Sequence, residues 1–191
     1  MEAHYTPAVM LNPSDNKKFK RWCQEQKSKQ MLNKVSLLDG YGEISVPTSE
    51  FNVVFQMAHM MEHFLTEGIG LRHFIDYYYV LKAYYNDSLD ANRMNITNQF
   101  VDFGLLKFAR GVMWVEKNCL GLEEKYLLVE PNEKTGKLIL EEMLEGGNFG
   151  QYDERYKARK MGLLLRGVTD SYRLLKLAKT FPIETNVEIS K

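Results

Sequence analysis

Hydrophobic residues fill ten of the eighteen positions of residues 50–67 and recur on more than one side of a helical wheel. A helix that is buried on most of its sides has this composition. Gly68 and Gly70 interrupt the pattern, and a second helical segment follows from Leu71 to about Tyr85. The sequence therefore predicts a helical hairpin whose turn carries two glycines.

Helical periodicity recurs along the rest of the chain and predicts helices in five further places. They lie at about residues 15–31, 91–103, 105–118, 133–144 and 156–180. Two segments favour β-structure: residues 2–5 alternate in polarity, and residues 35–46 have the pattern of a hairpin around a glycine-containing turn. We therefore predict a mainly α fold, a helical bundle or array with a short N-terminal β element.

The same patterns divide the chain into three parts. Residues 1–48 hold the strand, a polar helix and the β-hairpin, and residues 49–183 form a helical domain. Residues 184–191 have the composition of a loose tail.

Five polar residues of the first hairpin helix fall on one side of it. At about 100° per residue, a narrow stripe holds Asn52, Gln56, His59, His63 and Glu67. An unsatisfied buried polar group costs about 1–3 kcal/mol, so these residues either bond to one another in the core or line a wet cleft. The second alternative makes the stripe a candidate binding site.

Arg72 and Asp76 follow the two-glycine turn and lie one helical turn apart. Such a pair is either an ordinary surface ion pair, worth about 0.3–0.5 kcal/mol, or an arginine positioned to bind a phosphate or carboxylate. Both residues are therefore candidate ligand contacts.

Residues 59–63, His-Met-Met-Glu-His, also match the H-x-x-E-H pattern of inverted zinc proteases. In that arrangement two histidines one turn apart bind zinc, and the glutamate polarises water. A third ligand from a later helix is required, and spacing alone offers Glu141 or Glu142. A zinc hydrolase is therefore one alternative that the sequence leaves open.

Charge and cysteine content narrow the possible functions. Twenty-five basic and twenty-five acidic residues cancel, which argues against a global attraction to nucleic acid or an anionic membrane. Any anion site must be local. The two cysteines, Cys23 and Cys119, exclude a disulfide framework. The chain has no basic-then-apolar leader and no run of about 18 apolar residues, so we expect a cytoplasmic chain without a membrane span.

Several strings resemble a specific family, the nucleotidyltransferases of bacterial polysaccharide-synthesis clusters. Residues 47–55 (PTSEFNVVF), His59, His63, residues 67–72 (EGIGLR) and Asp76 are similar to the central signature of that family. Its distal blocks are similar to KFA at residues 107–109, MWV at residues 113–115, EPNE at residues 130–133 and GGNFGQYD at residues 146–153. The resemblance spans nearly the whole chain.

The resemblance implies a role for the polar residues of the helical hairpin. It places His59, His63, Glu67, Arg72 and Asp76 at a substrate cleft, where they would contact a nucleotide or a sugar-type small molecule. It also implies that the chain corresponds to the C-terminal half of the family. The N-terminal β element would then be the remnant edge of a polymerase-β-like sheet.

The chemistry of the family requires carboxylates that this chain largely lacks. Nucleotidyl transfer usually needs two Mg²⁺ ions held by about three carboxylates, and the resemblance offers one catalytic position, Glu2. The glycine-serine helix start and the paired-carboxylate strand of the family are absent. We therefore expect a fragment, a split gene product or a decayed homologue that is inactive alone and needs Mg²⁺ only together with a catalytic half.

A function of a different class also fits these patterns. The chain is alternatively a non-catalytic helical interaction module that docks a partner protein through the apolar surface left uncovered by the missing sheet. The partner would be an upstream nucleotidyltransferase half or a second copy of the chain. We expect no nucleic acid and no membrane among its partners.

Overall fold

The computed structural model describes residues 8–10, 12–66, 68–87, 93–146, 176–177 and 179–181. Across these residues the chain forms six α-helices and one two-stranded antiparallel sheet. The prediction of a mainly α fold with a short β element near the N-terminus is therefore confirmed. The predicted strand at residues 2–5 and most of the predicted helix at residues 156–180 lie outside the described residues.

The helices begin within about two residues of their predicted starts. In chain order they are α1 (Pro13–Leu32), α2 (Ser49–Thr66), α3 (Leu71–Asp87), α4 (Arg93–Asp102), α5 (Leu106–Cys119) and α6 (Glu133–Gly146). The strands β1 (Lys34–Ser36) and β2 (Glu43–Ser45) lie between α1 and α2. None of the described helices has both the length and the apolar character needed to cross a membrane.

Local capping explains where α1 begins. The Asn12 side chain accepts a hydrogen bond from the Ser14 amide at 2.9 Å, and Pro13 occupies the first helical position.

After α1, Val35 of β1 pairs with Ile44 of β2. Every residue of both strands is exposed, so the β-hairpin buries little surface against the helices.

Helices α2 and α3 form the predicted helical hairpin. Gly68 follows α2 with a φ of 94°, a conformation that favours glycine, and its amide donates to the His63 carbonyl at 2.7 Å. Tyr77 of α3 is completely buried, and its hydroxyl donates to the Val53 carbonyl of α2 at 3.1 Å. Packing and this buried hydrogen bond hold the two helices against each other.

One hydrophobic core joins the helices. Phe19 and Trp22 of α1 lie 5.6 and 5.7 Å from the Phe103 ring, measured between ring centroids. Phe181 lies 5.7 Å from Phe64 of α2 in the same measure and is almost fully buried. The short segment around Phe181 is therefore held onto the helical bundle.

Helices α5 and α6 approach each other closely at two glycines. A Cβ atom at Gly111 of α5 would lie 2.7 Å from side-chain atoms of Thr135 and Ile139. A Cβ atom at Gly136 of α6 would lie 2.5 Å from the Trp114 side chain. Because protein interiors are close-packed, the missing side chains at these two positions set the distance between the helices.

Candidate functional site

Three imidazoles meet at the turn between α2 and α3. His59 and His63 lie one turn apart on α2, and their Nε2 atoms are 3.1 Å apart. The ring centroid of His63 is 5.2 Å from that of His73 on α3. All three side chains are half-buried. We call this group the imidazole cluster (His59, His63 and His73).

Contacts within the imidazole cluster constrain its protonation. A hydrogen bond between two imidazole nitrogens needs one donor and one acceptor, so at least one of His59 and His63 is neutral. Burial lowers the pKa of His73; the Gly70 backbone opposes this shift, and charge on His63 and His59 adds to it. The cluster therefore resists the accumulation of positive charge.

Glu62 lies next to the imidazole cluster. Its Oε2 atom is 3.9 Å from Nδ1 of His59. Burial opposes ionisation of this carboxyl, but hydrogen bonds from His59 and from the Val9 backbone lower the pKa of Glu62 on balance. Glu62 is thus an ionised carboxylate whose negative charge is favoured by His59 and by the Val9 backbone.

A line of aromatic rings continues the imidazole cluster along α2. Phe51 stacks on Trp22 of α1 at 5.3 Å, Phe55 on Phe51 at 5.4 Å, and His59 on Phe55 at 6.1 Å between centroids. We call this line the ring ladder (Trp22, Phe51, Phe55 and His59). Sequence reasoning missed it because the polar stripe of α2 includes His59 but neither phenylalanine. The four-residue spacing from Phe51 to His63 is a signal for it.

Arg72 and Asp76 lie on the solvent side of α3. The Nε atom of Arg72 is 3.6 Å from Oδ2 of Asp76, and the two side chains are 82% and 58% exposed. Asp76 also contributes to the electrostatic environment of His73, whose pKa it raises slightly against the effect of burial. The predicted pair therefore forms at the surface beside the imidazole cluster rather than inside it.

The remaining residues of the predicted site divide into two groups. Asn52 and Gln56 are half-buried on α2. Glu2 and Glu67 lie outside the described residues. Of the predicted substrate contacts, the structure thus brings His59 and His63 together. His73 lies beside them but belongs to α3, so the polar stripe of α2 does not include it.

The described residues do not complete a zinc site. Among them, no three histidine, cysteine, aspartate or glutamate side chains form a group that could hold a metal ion. Glu142 lies 3.0 Å from the Lys176 ammonium, and Glu141 lies 3.8 Å from it. Both candidates for the third ligand of the H-x-x-E-H pattern are therefore engaged in ion pairs away from α2.

Sequence reasoning also missed a buried carboxyl group on α5. Glu116 is fully buried, and neither carboxyl oxygen has a hydrogen-bond partner in the part of the chain that the structure describes. Burial raises the pKa of Glu116 from 4.5 to about 9, so the group is neutral near pH 7. Its position four residues after Val112, on the apolar face of α5, is the sequence signal for this burial.

No family model, no curated protein and no solved structure matches this chain.

Proposed function

We propose that this chain is the ligand-binding helical module of a nucleotidyltransferase-type protein, and that its α2–α3 hairpin contacts a nucleotide or another phosphate-bearing small molecule. The observation that carries the proposal is the imidazole cluster, in which three half-buried rings meet at a two-glycine turn. The similarity of residues 47–76 to the central signature of the family supports the same assignment.

The imidazole cluster and the neighbouring arginine offer complementary hydrogen-bond donors. Neutral imidazoles both donate and accept hydrogen bonds. Arg72 presents an exposed guanidinium, whose planar fork suits a phosphate or a carboxylate. An anion bound beside the imidazoles raises their pKa, because an opposite charge favours the protonated form. We therefore expect a bound phosphate to raise the pKa of His73, against the lowering that burial causes.

The described carboxylates do not fit a site for two Mg²⁺ ions. Glu62 is engaged by His59 and by the Val9 backbone, and Glu116 is buried and neutral. The proposal therefore assigns binding and positioning to this chain. Transfer chemistry and its Mg²⁺ are assigned to a separate catalytic half.

Chemical shifts of the histidine ring protons test the proposal. The wild-type chain is titrated with each of the four ribonucleoside triphosphates in turn, and at least one should shift the ring-proton signals of His59, His63 and His73 together. Arg72→Ala should weaken that binding about tenfold, the effect of losing one charge-assisted hydrogen bond.

Arg21→Ala is the matched control for Arg72→Ala. Arg21 and Glu25 form the same kind of exposed pair, four residues apart, on α1. Exposed pairs contribute about 0.3–0.5 kcal/mol to folding, so both variants should remain folded. Unchanged imidazole signals with every triphosphate, or equal weakening by both arginine variants, would show that the proposal is wrong.

The exposed β-hairpin favours a second candidate function, docking of a partner protein. Leu38 is 86% exposed and Tyr41 is 81% exposed. Further exposed hydrophobic residues lie in the same segment: Met31, Leu32, Val35, Leu37 and Ile44. Exposed apolar surface marks interaction sites, and the two-stranded sheet offers open edges to which a second copy can add a strand.

Sedimentation velocity distinguishes this second candidate. A chain that dimerises through the β-hairpin should become monomeric when Leu38→Ser and Tyr41→Ser are combined. Met94→Ser is the control, because Met94 is a comparably exposed hydrophobic residue on α4. A wild-type chain that is monomeric at high concentration would exclude self-association.

A further inference from the structure

A cavity of about 430 Å³ lies where the first turns of α5 and α6 meet the segment before Phe181. Four of the described residues that line it are cationic, and none is acidic: Lys107, Arg110, Lys134 and Lys179. The whole chain has equal numbers of acidic and basic residues. The cavity is therefore a local concentration of positive charge in a chain that is neutral overall. We call it the cationic pocket.

The fold fixes the segments that carry these cations. Lys107 lies on the first turn of α5, and Lys134 lies on the first turn of α6. Lys179 precedes Phe181, whose ring packs against Phe64 of α2 and against Phe108 of α5 at 5.7 and 6.3 Å. The three positions are therefore brought together by core packing.

Two of the cations contact uncharged groups, which do not neutralise their positive charge. The Nε atom of Arg110 donates to the Glu130 carbonyl at 3.0 Å, which occupies only one of the five guanidinium N–H groups. The Lys107 ammonium lies 5.8 Å from the centroid of the Phe181 ring, and an aromatic face attracts a cation without neutralising it. Both groups thus remain able to bind an anion.

Lysines next to the cationic pocket behave differently. Lys137 lies 2.7 Å from Glu133, and Lys176 lies 3.0 Å from Glu142. Within the described ranges, no ion pair forms between a carboxylate and any of the four pocket cations. Acidic partners are thus present on α6 but are used outside the pocket.

The first turn of α6 adds further anion-binding groups. Asn132 caps this helix, and its Oδ1 atom accepts a hydrogen bond from the Thr135 amide at 2.9 Å. The N-terminus of a helix carries partial positive charge. The hydroxyl-bearing residues Thr135 and Thr180 also line the cavity, and a hydroxyl can donate to a phosphate oxygen.

We propose that the cationic pocket binds the phosphates of a di- or triphosphate ligand. One phosphate group carries about −1.5 to −2 charge near pH 7, so two or three linked phosphates match four cations and a single phosphate does not. The cavity volume falls within the range of about 300–1,000 Å³ that is typical of small-ligand sites. A cleft lined by one sign of charge also concentrates the electric field. The pocket shares no residue with the imidazole cluster, so the two proposals are independent.

Isothermal titration calorimetry of the full chain with sodium tripolyphosphate tests the cationic pocket. The wild type should bind this probe more tightly than orthophosphate, and added salt should weaken the binding. Lys107→Gln, Lys134→Gln and Lys179→Gln should each weaken it about tenfold, and the triple variant should abolish it. All three side chains are exposed, so these variants should keep the helical circular dichroism of the wild type.

Lys137→Gln is the matched control, since Lys137 lies one turn after Lys134 on α6 but is paired with Glu133. It should bind tripolyphosphate like the wild type. An equal loss in Lys137→Gln, full binding by the triple variant or no binding by the wild type would overturn the proposal. Arg72→Ala should leave this titration unchanged, which separates the pocket from the α2–α3 hairpin.

Competition identifies the source of the phosphates. The concentration of a ribonucleoside triphosphate that displaces bound tripolyphosphate is compared with the concentration at which tripolyphosphate itself binds. A lower concentration of the nucleotide indicates a nucleotide ligand. Displacement only at a higher concentration indicates a free oligophosphate. Both results support the cationic pocket, and a failure to displace tripolyphosphate excludes a nucleotide and likewise indicates a free oligophosphate.

Discussion

The α2–α3 hairpin and α5 both bury ionisable side chains, but the surroundings of these groups differ. In the hairpin, His59 lies within hydrogen-bond distance of His63, and His73 packs beside them. In α5, Glu116 is enclosed without a hydrogen-bond partner among the described residues. Burial of a lone charge is costly, whereas grouped polar side chains offset much of that cost by bonding to one another. Polar neighbours, as well as burial, therefore decide which form of an ionisable group the fold retains.

The two regions consequently respond to pH in opposite directions. Above about pH 4.5 the unfolded chain releases the proton of Glu116, whereas the folded chain keeps it up to about pH 9. The contribution of Glu116 to the free energy of unfolding therefore falls as the pH rises from 4.5 to about 9. The lowered pKa of His73 has the reverse sign, because below about pH 6.5 the unfolded chain binds the proton more readily. The pH dependence of the free energy of unfolding therefore distinguishes Glu116 from His73.

Glu116→Gln should produce the largest change. The amide keeps the shape of the neutral carboxyl group and removes its titration, so the variant should be more stable than the wild type at pH 8 by a few kcal/mol. The difference should grow by about 1.4 kcal/mol per pH unit from pH 4.5 to about pH 9. Urea unfolding of both proteins at pH 5 and pH 8 measures it. Exposed Glu25→Gln is the control, and a pH-independent difference for Glu116→Gln would contradict a buried neutral acid.

Gly136→Ala should have the next largest effect and tests the close packing of α5 and α6. Alanine favours a helix over glycine by about 1 kcal/mol, yet its methyl group would lie 2.5 Å from the Trp114 side chain. Overpacking of this kind costs about 1–3 kcal/mol, so the urea midpoint should fall. A rise in the midpoint would mean that the two helices do not approach as closely as the glycines allow.

The smallest expected effect is a shift in the pKa of His73, which tests the packing of the α2–α3 hairpin. Its ring-proton signals should titrate below the ordinary histidine range, because burial and the nearby imidazoles disfavour its protonated form. Asp76→Asn should move the midpoint further down, since the Asp76 carboxylate raises this pKa. A midpoint at or above the ordinary value, measured by NMR, would count against a half-buried imidazole cluster.

Much of the fold could be predicted because its signals are local. Asn12 and Pro13 form a local cap at the start of α1, and Gly68 follows the end of α2. The ten hydrophobic residues of α2 indicate a central helix, and eight of its side chains are buried. These signals depend on neighbouring residues along the chain, so a single sequence contains them.

The candidate sites were only partly predictable because they combine distant segments. Helical spacing places His59 and His63 on one face, but the contact of His63 with His73 depends on how α2 and α3 pack. The cationic pocket joins Lys107, Lys134 and other residues from separate segments. No periodicity within one helix indicates such an arrangement, since each lysine alone has the pattern of an ordinary solvent-facing residue.

The placement of the two tryptophans gives each half of the bundle its own fluorophore. Trp22 ends the ring ladder against Phe51, and Trp114 packs over Gly136, and the chain has no other tryptophan. The Trp114→Phe variant keeps Trp22, so its fluorescence during unfolding would report on α1 and α2. The Trp22→Phe variant keeps Trp114, so its fluorescence would report on α5 and α6. Coincident transitions would indicate one cooperative unit, whereas separate transitions would reveal two foldons within the same hydrophobic core.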